Sequence, residues 1–312
     1  MSAATGRMHA GEFDIDVALV ARLLAAQFPH WAGVPIRQLE SAGTDHAMYR
    51  LGEEMLVRLP RIEAAAGQVE KEHAWLPQIA AQLPLAIPVP LAMGMPGQGY
   101  PWYWSVYKWL AGENAAVAHI GDYQRAALDL AAFVSALQRM DASSAPLPGA
   151  HNFHRGEPLA HRDARTREAI AALDGTIDTK LVTAAWDAAL EATPWREPPR
   201  WIHGDLQPGN LLVKAGRVHA VIDFGGMCAG DPACDLIPAW NFLSARSRWA
   251  FRAALAADDA TWARGRGWAL SIALIALPYY RYTNPVLTNL SLYTITEVLG
   301  DFGQRHAIDI FS

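Results

Sequence analysis

The 312-residue sequence predicts an α+β fold, with a small antiparallel sheet in the amino-terminal third and a larger, mostly helical part after it. Short apolar segments separated by turn residues dominate up to about residue 108, a pattern typical of antiparallel strands. Longer segments with apolar residues at helical spacing dominate afterwards. The length suits two packed domains, which we place at residues 1–108 and 109–312.

The amino-terminal part is predicted to be a sheet with one inserted helix. A first helix spans residues 16–28, because Asp16 can cap an apolar run at helical spacing. A second, over residues 64–83, is rich in Ala, Glu, Gln and Leu and ends where several prolines follow. The strands are predicted at residues 35–41, 47–51 and 54–60, with a further pair ending in residues 103–113.

Helices are predicted for most of the remaining chain. The strongest amphipathic pattern covers residues 121–141, and another covers residues 179–192. Between them, residues 143–178 are polar and broken by Pro and Gly, so we interpret them as a connecting insertion. Two short strands follow residue 210, and helices dominate again from residue 236.

Composition and charge favour small-molecule chemistry. A net charge of −5 gives no basic surface for a nucleic-acid partner. The two cysteines, Cys228 and Cys234, lack the additional ligands of a zinc site and fit a reducing compartment. The sequence shows neither a secretory signal nor an apolar run long enough to span a bilayer, so we expect a cytoplasmic protein with no membrane partner. It carries no signal of its oligomeric state.

The segment W-I-H-G-D-L-Q-P-G-N-L-L-V, residues 201–213, carries the main chemical signal. It places Asp205 and Asn210 in a short loop broken by Gly and Pro. Asp223 follows Asn210 by thirteen positions, enough for a tight hairpin that returns it to the loop. Oxygen ligands of this kind suit Mg²⁺, which completes its coordination with water and substrate phosphates. The remaining carboxylate, Asp205, can then accept a hydroxyl proton.

Simpler interpretations of these residues exist. Asp205 and Asn210 could each cap the local backbone, as Asp and Asn commonly do. A metal-dependent hydrolase using His203 and Asp205 is a further alternative, but it lacks other histidine ligands at suitable spacing. The spacing of the three oxygen-bearing residues favours the magnesium site.

These motifs resemble those of the aminoglycoside phosphotransferase family, small-molecule kinases with a protein-kinase-like bilobal fold. The family's H-G-D-x-x-x-x-N and I-D-F/W motifs are present at residues 203–210 and 222–224, and G-D-P-A-C-D-L at 230–236 is similar to a third. The resemblance implies ATP or GTP as co-substrate and Mg²⁺ as cofactor. It implies Asp205 as the catalytic residue, and Asn210 and Asp223 as metal ligands.

A kinase also needs a cation on the third strand and a glutamate on the following helix. Arg58 in M-L-V-R-L-P is the candidate cation, and the resemblance extends here to the V-L-R-I-P segment of the macrolide-kinase branch. Glu72 is the expected partner of Arg58, with Glu70 as the fallback. The same two residues could instead form an exposed ion pair of little energetic value.

Three further nucleotide contacts follow from the resemblance. The loop A-G-T-D-H, residues 42–46, would lie over the nucleotide, with Gly43 allowing close backbone approach. Y-K-W-L-A-G-E matches the family's interlobe hinge, where the main chain of Lys108 and Leu110 would bond the purine.

We therefore expect transfer of a phosphoryl group from ATP or GTP to a hydroxyl of a small molecule. After residue 236 the chain has five acidic and seven basic residues, which weighs against a polycationic aminoglycoside. A macrolide or another hydroxylated metabolite stays open. The alternative is a non-catalytic kinase-like nucleotide-binding protein, which the unusual Arg58 favours and the intact Asp205, Asn210 and Asp223 oppose.

Overall fold

The first part of the chain is rich in strands and the second part in helices, as the periodicity predicts. The structure is a computed structural model that describes residues 12–39 and 45–309, with side chains up to residue 303. The chain divides into two units, one formed by Met1–Ala81 and Ala86–Ala111 and the other by Gln82–Leu85 and Gly112–Ser312.

The first unit contains a five-stranded, entirely antiparallel sheet in the order β1-β2-β3-β5-β4. Its strands are β1 (Ile36–Gln38), β2 (His46–Leu51), β3 (Met55–Pro60), β4 (Pro90–Gly94) and β5 (Trp104–Lys108). The central strand β3 pairs Arg58 with Met48 on one side and with Ser105 on the other. Arg58 is thereby fixed by neighbours on both sides of its strand.

Helix α1 (Val17–Gln27) packs its apolar face on this sheet. The Asp16 side chain caps it by accepting a 2.7 Å hydrogen bond from the Leu19 N–H, as the sequence predicts. Leu23 and Leu24 are buried against sheet residues such as Trp104. The burial of these side chains supplies the core that holds the first unit together.

The predicted helix over residues 64–83 forms as two shorter helices. α2 (Glu63–Ala66) and α3 (Gln68–Ala80) are separated by Gly67, which weakens a continuous helix because glycine has more backbone freedom to lose. α3 contains Pro77 and ends before the later prolines, which begin at Pro84, and its buried side includes Glu72. The break leaves Glu72 in the second turn of its own helix.

The second unit is mostly helical and carries two small antiparallel sheets. Its strands are β6 (Glu113–Asn114), β7 (Arg200–Ile202), β8 (Leu211–Lys214), β9 (Arg217–Val221) and β10 (Cys228–Gly230), in the orders β6-β8-β9 and β10-β7. Its helices are α4 (Tyr123–Gln138), α5 (Asp163–Ala172), α6 (Thr179–Leu190), α7 (Pro238–Asn241), α8 (Ala245–Leu255), α9 (Asp259–Tyr280) and α10 (Pro285–Asp309).

Residues 143–178 are more ordered than a connecting insertion, so that interpretation is wrong in part. They contain α5, whose low amphipathicity concealed it from the periodicity. The preceding segment is held by Asn152, which is fully buried. The segment is therefore built into the second unit.

Helix α9 forms the centre of the second unit. Trp262 and Trp268 on this helix are fully buried, and the helix contacts α5, α6 and α10. In the part of the chain that the structure describes, no helix has both the length and the apolar character needed to cross a bilayer.

Candidate active site

The β8–β9 hairpin places the two ends of the predicted metal site side by side. Its tight turn uses Ala215 and Gly216, both with positive φ angles. The Ile222 N–H donates a 2.9 Å hydrogen bond to the Asn210 carbonyl, which extends the pairing one step beyond the strands. Asp223 follows directly, so the chain returns to the loop as the spacing predicts.

Asp205 and Asn210 are in direct contact. The Asn210 Nδ2 donates to the Asp205 carbonyl at 2.9 Å and to its Oδ2 at 3.0 Å. Gln207 Nε2 also donates a hydrogen bond to Oδ2, at 2.9 Å. One carboxylate oxygen is thus held by two amides, which fixes the orientation of the Asp205 side chain.

The other oxygen of this carboxylate faces a guanidinium group. Arg155 Nη2 lies 3.4 Å from Asp205 Oδ1, although fifty positions separate the two residues in sequence. Arg155 belongs to the segment that sequence reasoning treated as a connection, where nothing marked it as functional. An arginine in an irregular polar segment carries no periodic or motif signal.

The residues at the hairpin end fit a hard divalent cation. Both hydrogen bonds of the Asn210 amide group use Nδ2, so its Oδ1 is left as an acceptor. The side chain of Asp223 is exposed. Asp223 adopts a left-handed conformation, with φ 63° and ψ 72°, which is uncommon for a non-glycine residue and often marks a functional position. No group of three His, Cys, Asp or Glu side chains suited to a metal occurs among the described residues. A magnesium ion that takes its other ligands from phosphates and water is compatible with this set.

His203 and Asp235 support the loop that carries Asp205 and Asn210. The fully buried Asp235 carboxylate accepts hydrogen bonds from the backbone N–H groups of His203 and Gly204, at 2.7 and 2.8 Å. The His203 ring contacts the Asp205 N–H through Nδ1 and the Ile222 carbonyl through Nε2. Because both ring nitrogens are hydrogen-bonded, His203 links the two loops and does not supply a second proton acceptor.

Gly204 is required where it stands. Its φ of 83° disfavours any side chain, and a Cβ there would lie 2.6 Å from the Gly226 carbonyl oxygen and 3.3 Å from Arg155 Cβ. The glycine between His203 and Asp205 therefore lets two other segments approach the loop.

In the first unit, Arg58 pairs with Glu72 as predicted from the resemblance. Arg58 Nη1 lies 2.7 and 3.0 Å from the two carboxylate oxygens, and Glu72 is only 1% exposed. Glu70 is exposed, so the fallback assignment is not needed. Burial of the pair excludes the alternative of an exposed ion pair with little effect.

Two neighbours complete this ion pair. Tyr107 donates a hydrogen bond to Glu72 Oε2, and Arg58 Nη2 lies 3.2 Å from His46 Nδ1. Burial, followed by the negative charge of Glu72, raises the pKa of Tyr107, so the phenol keeps the proton that it donates. Neither neighbour was predicted. His46 pairs with Pro60, two positions along the strands from the Met48–Arg58 pair, so it lies on the same face of the sheet as Arg58 and could have been found from the register.

The remaining nucleotide contacts stay predictions. Gly43 lies outside the described residues. The Lys108 N–H donates a 2.9 Å hydrogen bond to the Val89 carbonyl, so a purine contact by Lys108 would have to use its carbonyl oxygen. Leu110 follows β5 and is partly buried.

Comparison with known proteins gives one family and a shared fold. Residues 36–268 match the sequence profile of a family described as the phosphotransferase enzyme family. No curated protein sequence is similar enough to count as a match.

Solved structures with this fold cover nearly the whole chain. The GDP complex of wild-type aminoglycoside 2'-phosphotransferase-IIIa aligns with a TM-score of 0.70 and 18% identity, covering 92% of this chain and 99% of that one. ADP-bound aminoglycoside phosphotransferase APH(2'')-Ib gives 0.57 and 15%, with coverages of 91% and 99%. Macrolide 2'-phosphotransferase MphH from Brachybacterium faecium gives 0.60 and 19%, with coverages of 90% and 98%. At these identities the similarity shows the fold, and it confirms the predicted kinase-like class.

Proposed function

This chain belongs to the phosphotransferase enzyme family, and on that basis we propose that it transfers the γ-phosphoryl group of ATP or GTP to a hydroxyl of a small molecule. The observation that carries the proposal is the contact between Asp205 and Asn210, with Asp223 returned to the same end of the hairpin. These are the residue types that a kinase uses for the base and the metal ligands.

Asp205 accepts the proton of the acceptor hydroxyl. Its Oδ2 is held by Asn210 and Gln207, so the carboxylate keeps one orientation before the acceptor arrives. Because phosphoryl transfer passes through a loose transition state, such positioning supplies much of the catalysis. Asn210 and Asp223 would hold the Mg²⁺ ion, which offsets the charge of the phosphates.

Arg58 binds the upstream phosphates, with Glu72 and Tyr107 fixing its guanidinium group. An arginine provides several donors in a rigid plane, so it can bind Glu72 and a phosphate oxygen together. Relatives of the same fold bind GDP or ADP, which supports a nucleoside triphosphate as the co-substrate. The acceptor is a hydroxylated small molecule, with macrolides, aminoglycosides and other metabolites as candidates, since the relatives include both antibiotic classes.

Thermal unfolding with and without magnesium, ATP and GTP tests the proposal. A nucleotide at a hundred times its dissociation constant stabilises the folded protein by about 2.7 kcal/mol. We expect a magnesium-dependent rise in the unfolding temperature for the parent, its loss in Asp223→Ala, and its retention in the control Asp174→Ala. Asp174 is an exposed carboxylate on a different loop. Absence of stabilisation by either nucleotide would contradict the proposal.

A further inference from the structure

The guanidinium group of Arg155 is only partly neutralised. Asp205 is the single carboxylate within 4.0 Å of it among the described residues, and the 3.4 Å contact is long for a charged pair. Its second terminal nitrogen, Nη1, is buried without a hydrogen-bond partner. A buried guanidinium nitrogen without an acceptor is costly, so it indicates a position that a ligand or water fills.

The segment that carries Arg155 is held by specific hydrogen bonds and has an unusual backbone conformation. Asn152 donates to the carbonyls of Arg155 and Gly226 and accepts from the Gly149 N–H, at 3.0 to 3.2 Å. Phe153 and His154 both have positive φ angles, which residues other than glycine rarely adopt. Such strain persists only where the surroundings enforce it, and it is typical of functional positions.

A second arginine of the same unit, Arg162, has no acidic partner among the described residues. Arg162 is 9% exposed, and its contacts are a 2.8 Å hydrogen bond from Nε to Ser271 Oγ and the face of Trp268. No carboxylate lies within salt-bridge distance of it in the part of the chain described. A buried arginine is rare without an anionic partner.

The two guanidinium groups influence each other electrostatically. Burial, followed by the positive charge of Arg155, lowers the pKa of Arg162 to about 9. Among the described residues, these two guanidinium groups together have one carboxylate contact, that of Arg155 with Asp205. An additional negative group would relieve this repulsion and satisfy the unpaired nitrogen.

We infer that Arg155 and Arg162 bind an anionic group of the acceptor. The acceptor would then be a hydroxylated molecule that also carries a carboxylate or a phosphate, with its hydroxyl at Asp205. This inference rests on the proposed phosphotransfer, and it disfavours polycationic aminoglycosides. It also gives Arg155 two contacts, one with the base and one with the substrate.

Anion binding can be measured without turnover. We would follow thermal unfolding with inorganic phosphate at constant ionic strength, with chloride as reference and without nucleotide. The parent should be stabilised, and the apparent affinity should fall at least tenfold in Arg155→Gln and in Arg162→Met. It should stay unchanged in Arg165→Met, which removes an exposed arginine of the same segment. Arg58→Met is measured alongside, because it separates phosphate bound at the proposed nucleotide site of the first unit from phosphate bound at Arg155 and Arg162.

Two results would overturn the inference. One is no stabilisation by phosphate at all. The other is stabilisation that is lost in Arg58→Met and kept in the Arg155 and Arg162 variants. Because the folded state is read directly by circular dichroism, a variant that fails to fold is recognised, and Arg162→Gln replaces Arg162→Met in that case. A negative result for anion binding does not change the result of the magnesium–nucleotide experiment, so the anion inference and the proposed phosphotransfer can be rejected independently.

The class of acceptor is tested with three compounds of one skeleton. Gluconate, gluconamide and glucamine share their hydroxyl groups but are anionic, neutral and cationic. Gluconate should stabilise the parent at least tenfold more effectively than the other two, and the difference should disappear in Arg162→Met. Preference for glucamine or gluconamide would contradict the inference. Binding of phosphate without gluconate would assign a phosphorylated acceptor, and binding of both would assign the acceptor to either anionic class.

Discussion

Asn210 Nδ2 donates a 3.0 Å hydrogen bond to Oδ2 of Asp205, five residues earlier in the chain. The proposed metal ligand therefore also orients the proposed base. Loss of either side chain should affect both metal binding and proton transfer, so variants must be chosen to separate the two roles.

Asp205→Asn separates them best. It keeps the shape of the side chain and removes the proton acceptor, so turnover should fall by about two to four orders of magnitude, the usual contribution of a general base. Nucleotide affinity should change little, since Asp205 is not assigned to the nucleotide. Product formation and the nucleotide dissociation constant measure the two effects. Turnover at the parent rate would show that Asp205 is not the base.

Arg58→Met tests the phosphate contact in the first unit. Losing a charged hydrogen bond of about 1.5–3 kcal/mol weakens nucleotide binding about 10- to 100-fold. Arg58→Lys should lie between the parent and Arg58→Met, since it keeps the charge near Glu72 and loses the contact with His46. Titration calorimetry gives the three affinities. Parent-like affinity in Arg58→Met would remove Arg58 from the nucleotide site.

Asp235→Ala should destabilise the protein strongly. It leaves the buried N–H groups of His203 and Gly204 without an acceptor, which costs roughly 2–6 kcal/mol of the free energy of unfolding. Asp258→Ala removes the N-terminal cap of α9 and serves as the matched control, at about 1 kcal/mol. Urea unfolding measures both. An equal cost for the two variants would mean that Asp235 does not support the loop.

The acid sensitivity of the first unit should depend on His73. Burial lowers the pKa of His73 against the opposing charge of Glu72, and its Nε2 lies 3.0 Å from Ser105 Oγ. The folded state therefore favours the neutral ring, and its stabilising contribution, present above the unfolded pKa of about 6.5, is lost as the pH falls towards the folded value. His73→Gln should reduce the loss of unfolding free energy between pH 7 and pH 5. An unchanged slope would assign that loss to other groups.

Local sequence was enough for part of the site. Asp205 and Asn210 share one loop, and the hairpin that returns Asp223 is fixed by its turn residues, so spacing alone predicted their arrangement. Choosing Glu72 over Glu70 needed only their positions on the helix. Helix α5 was missed because tertiary packing decides weakly amphipathic segments. The split at Gly67 was missed although its local cause, a glycine inside the helical pattern, is visible in the sequence.

Contacts between distant segments could not be predicted in this way. Arg155 reaches Asp205 only because Asn152, Gly156 and the chain after Asp223 pack together. Tyr107 reaches Glu72 because β5 lies beside β3 and under α3. Neither pair has a sequence pattern, since each depends on how separate elements are stacked.

The small space beside Gly204 limits which other proteins could accept this loop as a graft. A side chain at position 204 and the backbone that presents Arg155 would occupy the same space, so a host with a larger residue there has no room for the arginine segment. Residues 203–210 and 149–156 thus form one exchangeable module. A graft of the first stretch alone would carry Asp205, the proposed base, and leave its positive neighbour behind.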